Sequence, residues 1–134
     1  MSTRLIPPVT ELTRPFWDAT RQGKLVLQKC KGCMQRLFPP RANCPSCGSQ
    51  TLAWESVSGD GVIYTYTIAY RSPHPVLADQ CPLAVAVVEL AEGPRMITNI
   101  VGCDPSDVEI GMKVQVAFEA IDDSDEVLPV FTPT

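Results

Sequence analysis

Cys30-Lys31-Gly32-Cys33, ten further residues, then Cys44-Pro45-Ser46-Cys47-Gly48 is the stretch that decides how this chain folds. Two C-x-x-C pairs bring four thiols. The two-residue gap lets both sulfurs of a pair face one centre. Gly32 inside the first pair and Gly48 directly after the second free backbone amides to turn toward the thiolates. Four soft thiolates in a tetrahedron suit zinc. Iron in a rubredoxin-like site takes the same ligands, and two disulfides are the competing use of four cysteines. The spacing favours a metal, with Cys30, Cys33, Cys44 and Cys47 as its ligands. Four cysteines leave no open position for water or substrate, so the ion is expected to be structural.

Around this stretch the composition sets bounds. The 134 residues are 45% hydrophobic and 19% charged, enough for one domain, or for a small core plus a metal-stapled module. The start, Met-Ser-Thr-Arg-Leu-Ile-Pro-Pro, has no apolar signal-peptide region, and no apolar run approaches the ~18 residues of a membrane helix. A cytoplasmic location is expected, where thiols stay reduced and bind metal.

The net charge of −4 is unevenly placed. Between Asp18 and Glu55 there is no carboxylate, yet that interval holds Arg21, Lys24, Lys29, Lys31, Arg36 and Arg41, six of the eleven basic residues. A metal–tetrathiolate centre carrying −2 leaves the interval at about +4. These side chains either offset the thiolates or present charge to phosphates or an acidic partner.

Outward from the cysteines the pattern is mainly β. A helix is expected over about 14–22, with Thr13 as N-cap, Pro15 in the first turn and Gly23 as the stop. Leu12, Phe16 and Ala19 form its apolar stripe, with Trp17 beside them. Lys24–Lys29, Arg36–Pro39 and Gln50–Val57 read as the ribbon's strands. Gly59-Asp60-Gly61 marks a turn and a module boundary. Five strands follow, over 61–70, 83–90, 95–101, from 111 onward, and over 127–131. The second is apolar on both faces, so it is placed centrally. Pro129 argues for an edge in the last. With no second helix signal, the set suits a small OB-type barrel. The fold class is therefore mainly β: a short N-terminal helix, a rubredoxin-like zinc ribbon and a five-stranded OB-fold barrel. The division is 1–23, 24–58 and 59–134.

Further residues sharpen this. They are Phe16-Trp17, Cys30-x-x-Cys33, Phe38-Pro39-Pro40-Arg41, Cys44-Pro45-x-Cys47-Gly48, Gly61-x-x-Tyr64-x-Tyr66-Thr67, Pro82, Val88-Glu89-Leu90, Gly93, Gly111-Met112-x-Val114 and Leu128-Pro129-x-Phe131. In this order they resemble the zinc-ribbon/OB-fold family associated with acyl-CoA enzymes, long known as a domain of unknown function. The resemblance spans nearly the whole chain. It implies a small accessory subunit in a hetero-oligomer. The large subunit, which carries the reacting residues, would be a thiolase-like enzyme, a steroid side-chain aldolase, a related condensing enzyme or an acyl-CoA hydratase.

Other candidates for chemistry are sparse. His74, the only histidine, sits between Pro73 and Pro75 on an extended loop with no triad partner beside it. Cys81 and Cys103 read as small apolar residues near strand ends rather than reactive thiols. Arg41, Phe38, Lys31 and His74 are the candidates for contact with coenzyme A or a partner. Tyr64, Tyr66, Trp54 and Phe38 could line an apolar slot, but most are expected to fill the barrel core. Two other functions compete. Single-stranded nucleic-acid binding is opposed by the acidic barrel and a sequence pI near 4.9. Electron transfer through iron leaves the barrel without a role.

Overall fold

The computed structural model describes residues 7–72, 75–78, 80–121 and 124–134. Helix α1 spans Arg14–Arg21 with Pro15 in its first turn. Its start differs from expectation. Thr13 is already near-helical (φ −93°, ψ −7°) and makes no side-chain cap. Its hydroxyl faces back to Thr10. The amide of each threonine bonds the other's Oγ1, at 3.0 and 3.2 Å, and Arg14 N–H donates to Thr10 O at 2.8 Å. The end is as expected: Gly23 takes φ +75°. Its N–H meets Thr20 O at 3.0 Å and Lys24 N–H meets Ala19 O at 2.9 Å, the paired bonds of a Schellman stop.

The ribbon sheet has strands β1 (Val26–Cys30), β2 (Arg36–Leu37) and β3 (Leu52–Ser56) in the order β2-β1-β3, both pairings antiparallel. The barrel has β4 (Asp60–Ala69), a short helix α2 (Pro75–Ala78), β5 (Leu83–Leu90), β6 (Arg95–Ile100), a 3-10 turn at Pro105–Asp107, β7 (Lys113–Ala120) and β8 (Val127–Pro133). Its order is β4-β5-β6-β8-β7, closed by β7 on β4, with only β6 and β8 parallel. That is the OB arrangement. β5 is expected to be central; in the closed barrel every strand has two neighbours, and the outward Leu83, Val85 and Val87 of β5 are half-buried.

Alternation drives the packing. Ile63, Ala84, Ala86, Val88, Met96, Val114 and Phe131 point into the barrel. Phe16, Leu25 and Leu27 belong to the same buried cluster, so helix, ribbon and barrel share one core. Phe16 meets Trp17 edge-on at 4.9 Å and Phe38 at 5.7 Å between ring centroids. Helix α1 thus docks within its own chain.

Several expectations are corrected. β8 is not an edge: β7 and β6 flank it. Proline is tolerated because main-chain pairing with β6 is confined to Phe131; on that side Pro129 only accepts, its carbonyl taking the Thr98 hydroxyl at 3.3 Å, so no N–H is needed there. Two short helical turns appear where none was signalled; Asp104 Oδ1 caps the second by accepting from Ser106 N–H at 2.9 Å. Glu126 is buried, and Arg21 reaches its Oε1 at 2.6 Å. Tyr64 and Tyr66 do not fill the core; both lie exposed on β4. Among the described residues no helix is long and apolar enough to cross a membrane.

Candidate metal centre

Each knuckle is a tight turn held by its own main chain. Met34 N–H donates to Cys30 O at 2.8 Å and Gly48 N–H to Cys44 O at 2.9 Å. The knuckles are anchored alike, by Cys30 N–H to Gln35 O and Cys44 N–H to Ser49 O, both at 2.8 Å. Both turns need positive φ directly after the second cysteine: +65° at Met34 and +79° at Gly48. Gly32 serves differently. A Cβ there would sit 3.3 Å from Ser49 Cβ and 3.4 Å from Cys47 Sγ, so its value is space beside the sulfurs.

The four Sγ atoms of Cys30, Cys33, Cys44 and Cys47 lie within 4.8 Å of one another. Cys30 and Cys47 are 3.5 Å apart, Cys33 and Cys44 3.6 Å. A tetrahedron of Zn–S bonds near 2.3 Å asks for sulfurs ~3.8 Å apart, so the residues fit the ion. Gly32 and Cys33 N–H groups point at Cys30 Sγ from 3.3 and 3.4 Å. The Cys33 amide leads in bringing the Cys30 thiol down to about 6, and the Cys47 amide leads in lowering Cys44. These donors favour thiolate at Cys30 and Cys44, while at Cys33 and Cys47 the Gln35 and Ser49 amides are outweighed by burial and the neighbouring sulfurs, which push Cys33 up to about 12 and raise Cys47; a bound cation is what favours all four thiolates together.

The charge around the centre is partly matched. Lys29 and Arg36 approach Glu55 at 3.8 and 3.9 Å. Arg21 pairs with Asp18 and Glu126. Lys24, Lys31 and Arg41 are exposed. Arg41 has its main chain clamped: buried Gln28 accepts from its N–H at 2.7 Å and donates to its carbonyl at 2.9 Å. Lys31 lies on the first knuckle. Phe38 turns inward against the shared core instead. His74 lies outside the described residues. Cys81 and Cys103 are half-buried, and burial, then Asp107 and Asp104, pushes the Cys103 thiol up.

A sizeable concavity lies elsewhere. A groove of about 780 Å³ lies over the start of β4, bordered by Val62, Tyr64, Glu89, Ile110 and Lys113. Sequence reasoning missed it, because it forms from three strands distant in the chain.

Comparison with known proteins agrees with this architecture. The family model "ChsH2, rubredoxin-like zinc ribbon domain" matches residues 17–53, and "ChsH2, C-terminal OB-fold domain" matches 54–119. The boundary between them cuts β3, whose pairing lies wholly in the ribbon. A Thermomonospora curvata protein named probable enoyl-CoA hydratase alpha subunit is 42% identical over 130 residues, 94% of this chain but 39% of that one. The chain therefore spans well under half of that relative. A DUF35 domain-containing scaffold protein of Methanocaldococcus jannaschii is 39% identical over 76% of this chain and 73% of its own. A solved chain titled "Ltp2-ChsH2(DUF35) aldolase" superposes with TM-score 0.84 at 38% identity, covering 96% of this chain and 98% of that one. With the cysteine cluster in a matching ribbon, zinc is the structural cofactor. The chain belongs to the DUF35 family, as a ChsH2-type zinc ribbon followed by an OB-fold barrel.

Proposed function

We propose that this chain is the small accessory subunit of an acyl-CoA-processing enzyme, assembling with a thiolase-like or aldolase large subunit that carries out the chemistry. The observation carrying this reading is the end-to-end likeness to the chain titled "Ltp2-ChsH2(DUF35) aldolase". A large subunit of hydratase type is the second reading, favoured by the name of the T. curvata relative. In either complex Cys30, Cys33, Cys44 and Cys47 hold the zinc. The units are 1–23, 24–58 and 59–134, and the site of action is the cytoplasm, whose reducing state suits thiolate ligands.

Arg41 and Lys31, which with Lys24 are the exposed ribbon cations, are the two that meet coenzyme A phosphates or the partner beside them. The clamp from Gln28 supports the role of Arg41, since it holds the main chain still under an exposed guanidinium. Phe38 backs this loop from inside; His74 is kept as a contact on its sequence position alone. The test is co-expression with the thiolase-like, aldolase-type and hydratase-type chains of the same genome, then co-purification and an acyl-CoA turnover assay. A stable complex whose turnover falls when Arg41 becomes alanine is the expected result. Failure to join any of these chains overturns the proposal.

A further inference from the structure

The run Gly61-Val-Ile-Tyr-Thr-Tyr-Thr-Ile-Ala-Tyr70 has ten residues and no charge. On one side it pairs with β5 along its length, from Gly61 to Ala69. On the other, β7 pairs only with Asp60, Gly61 and Val62. The last main-chain bonds on that side join Ile63 to Met112 and Gly111, at 3.0 and 2.8 Å. Beyond Ile63, no described residue pairs with that edge of β4. Tyr64, Thr65, Tyr66 and Thr67 are all exposed, so this half of the strand shows both faces as well as an edge.

Such an edge is a template for another strand, and proteins ordinarily blunt it with lysine, proline, a bulge or a cover. Here the segment carries neither lysine nor proline, and its one irregularity lies at its start, between Ile63 and Thr65. Tyrosine, threonine and isoleucine suit pairing. The adjoining outer face is apolar too: Ile97 is 74% exposed, and it shares a row with Val87 and Thr65. Of the charges beside it, Arg95 and Glu89 are already engaged. Arg95 lies 3.8 Å over the Tyr64 ring and 3.3 Å from Glu89. The groove over Val62 and Tyr64 continues from the same strand.

We infer that the β4 edge from Tyr64 to Ala69 is where the large subunit docks, by adding an extended segment as a further strand and seating an apolar side chain in the adjoining groove. This rests on the accessory-subunit reading. The occupant is that subunit rather than a second copy. Two six-residue edges pairing alone cover far less than the ~1,200–2,000 Å² of a stable interface, whereas a larger body can also cover the groove and the Ile97 face. The T. curvata relative carries this module within a chain more than twice the matched length. Nucleic acid is disfavoured because the stacking rings have only Arg71 and Lys113 as exposed cations near them, too few to track a phosphate backbone.

The test uses the full chain with each candidate large subunit. Thr65→Lys and Thr67→Lys, at exposed positions, should keep zinc content and melting temperature yet weaken the complex at least tenfold. Hydrogen exchange should show those amides between Tyr64 and Ala69 that face away from β5 protected only in the complex, the alternate amides being held by β5 throughout. If the complex forms, the lysines leave it intact and these amides stay unprotected, the docking site is wrong while the accessory role stands. If no large subunit binds even the unaltered chain, both readings fall together. If the amides are protected by self-association at rising concentration, or by added oligothymidylate, a second copy or nucleic acid is the occupant and the inference is overturned.

Discussion

Met34 and Gly48 occupy equivalent places in the two knuckles, yet only one is glycine. A side chain at left-handed φ costs roughly 1–2 kcal/mol, part of which glycine's extra freedom in the unfolded chain offsets. Met34→Gly should therefore raise stability slightly, by about 0.5 kcal/mol, while Gly48→Ala lowers it by roughly 1 kcal/mol. Urea melts of the zinc-loaded protein check both signs. The need for glycine at 48 is legible in the sequence, as a residue following C-x-x-C. The strain at Met34 is not, because nothing in its side chain announces a left-handed turn; it follows from the repeated knuckle geometry.

At the scale of elements, the joints between helix, ribbon and barrel are carried by a few side chains. Arg21 on α1 reaches Glu126 before β8, and the carboxylate is buried. Arg21→Ala strands that charge, and a cost of about 1–3 kcal/mol is expected. Glu126→Gln should cost less, and calorimetry distinguishes the two. Gly61 is a packing joint. A Cβ there would lie 2.5 Å from Val88 Cγ1 and 3.0 Å from Glu89 O, a backbone atom that cannot step aside. Gly61→Ala should therefore cost roughly 1–3 kcal/mol, read as a fall in thermal midpoint. Strand identities were plain from β-branched and aromatic runs. The exposure of Tyr64 and Tyr66 was not, because an aromatic strand reads the same whether it lines a core or protrudes from it.

For the whole molecule, the zinc and the ribbon–barrel seam are linked. Leu25 and Leu27 lead into Cys30 yet lie in the barrel's core cluster. Stripping zinc with a chelator should therefore lower the barrel's melting temperature as well as unfold the ribbon, in one shifted transition. One zinc per chain by metal analysis, with loss in Cys33→Ser, is expected alongside. The seam also responds to pH. Burial works against charge on Glu92, but the Ser58 amide at 2.8 Å and the Ser58 hydroxyl outweigh it and hold its carboxyl below the usual range. A lowered native value contributes stability that is complete above the ordinary glutamate range and lost as pH falls through the native value. Acid also releases zinc, so the readout is the difference in stability between wild type and Glu92→Gln, which should shrink as pH drops below ~4.3.

The sequence by itself determined the metal module, the strand set and the barrel class, because cysteine spacing, turn glycines and period-two alternation are local and act wherever the chain goes. It also placed Arg41 and Lys31 on the basic ribbon. Only the tertiary structure decided which cations are matched, since Glu55 arrives on β3 and Glu126 from the turn just before β8. It alone put Phe38 inside and the β4 tyrosines outside. The open edge beyond Ile63 had to wait for the fold for the same reason: whether a strand has a neighbour depends on where a different strand, β7, turns away.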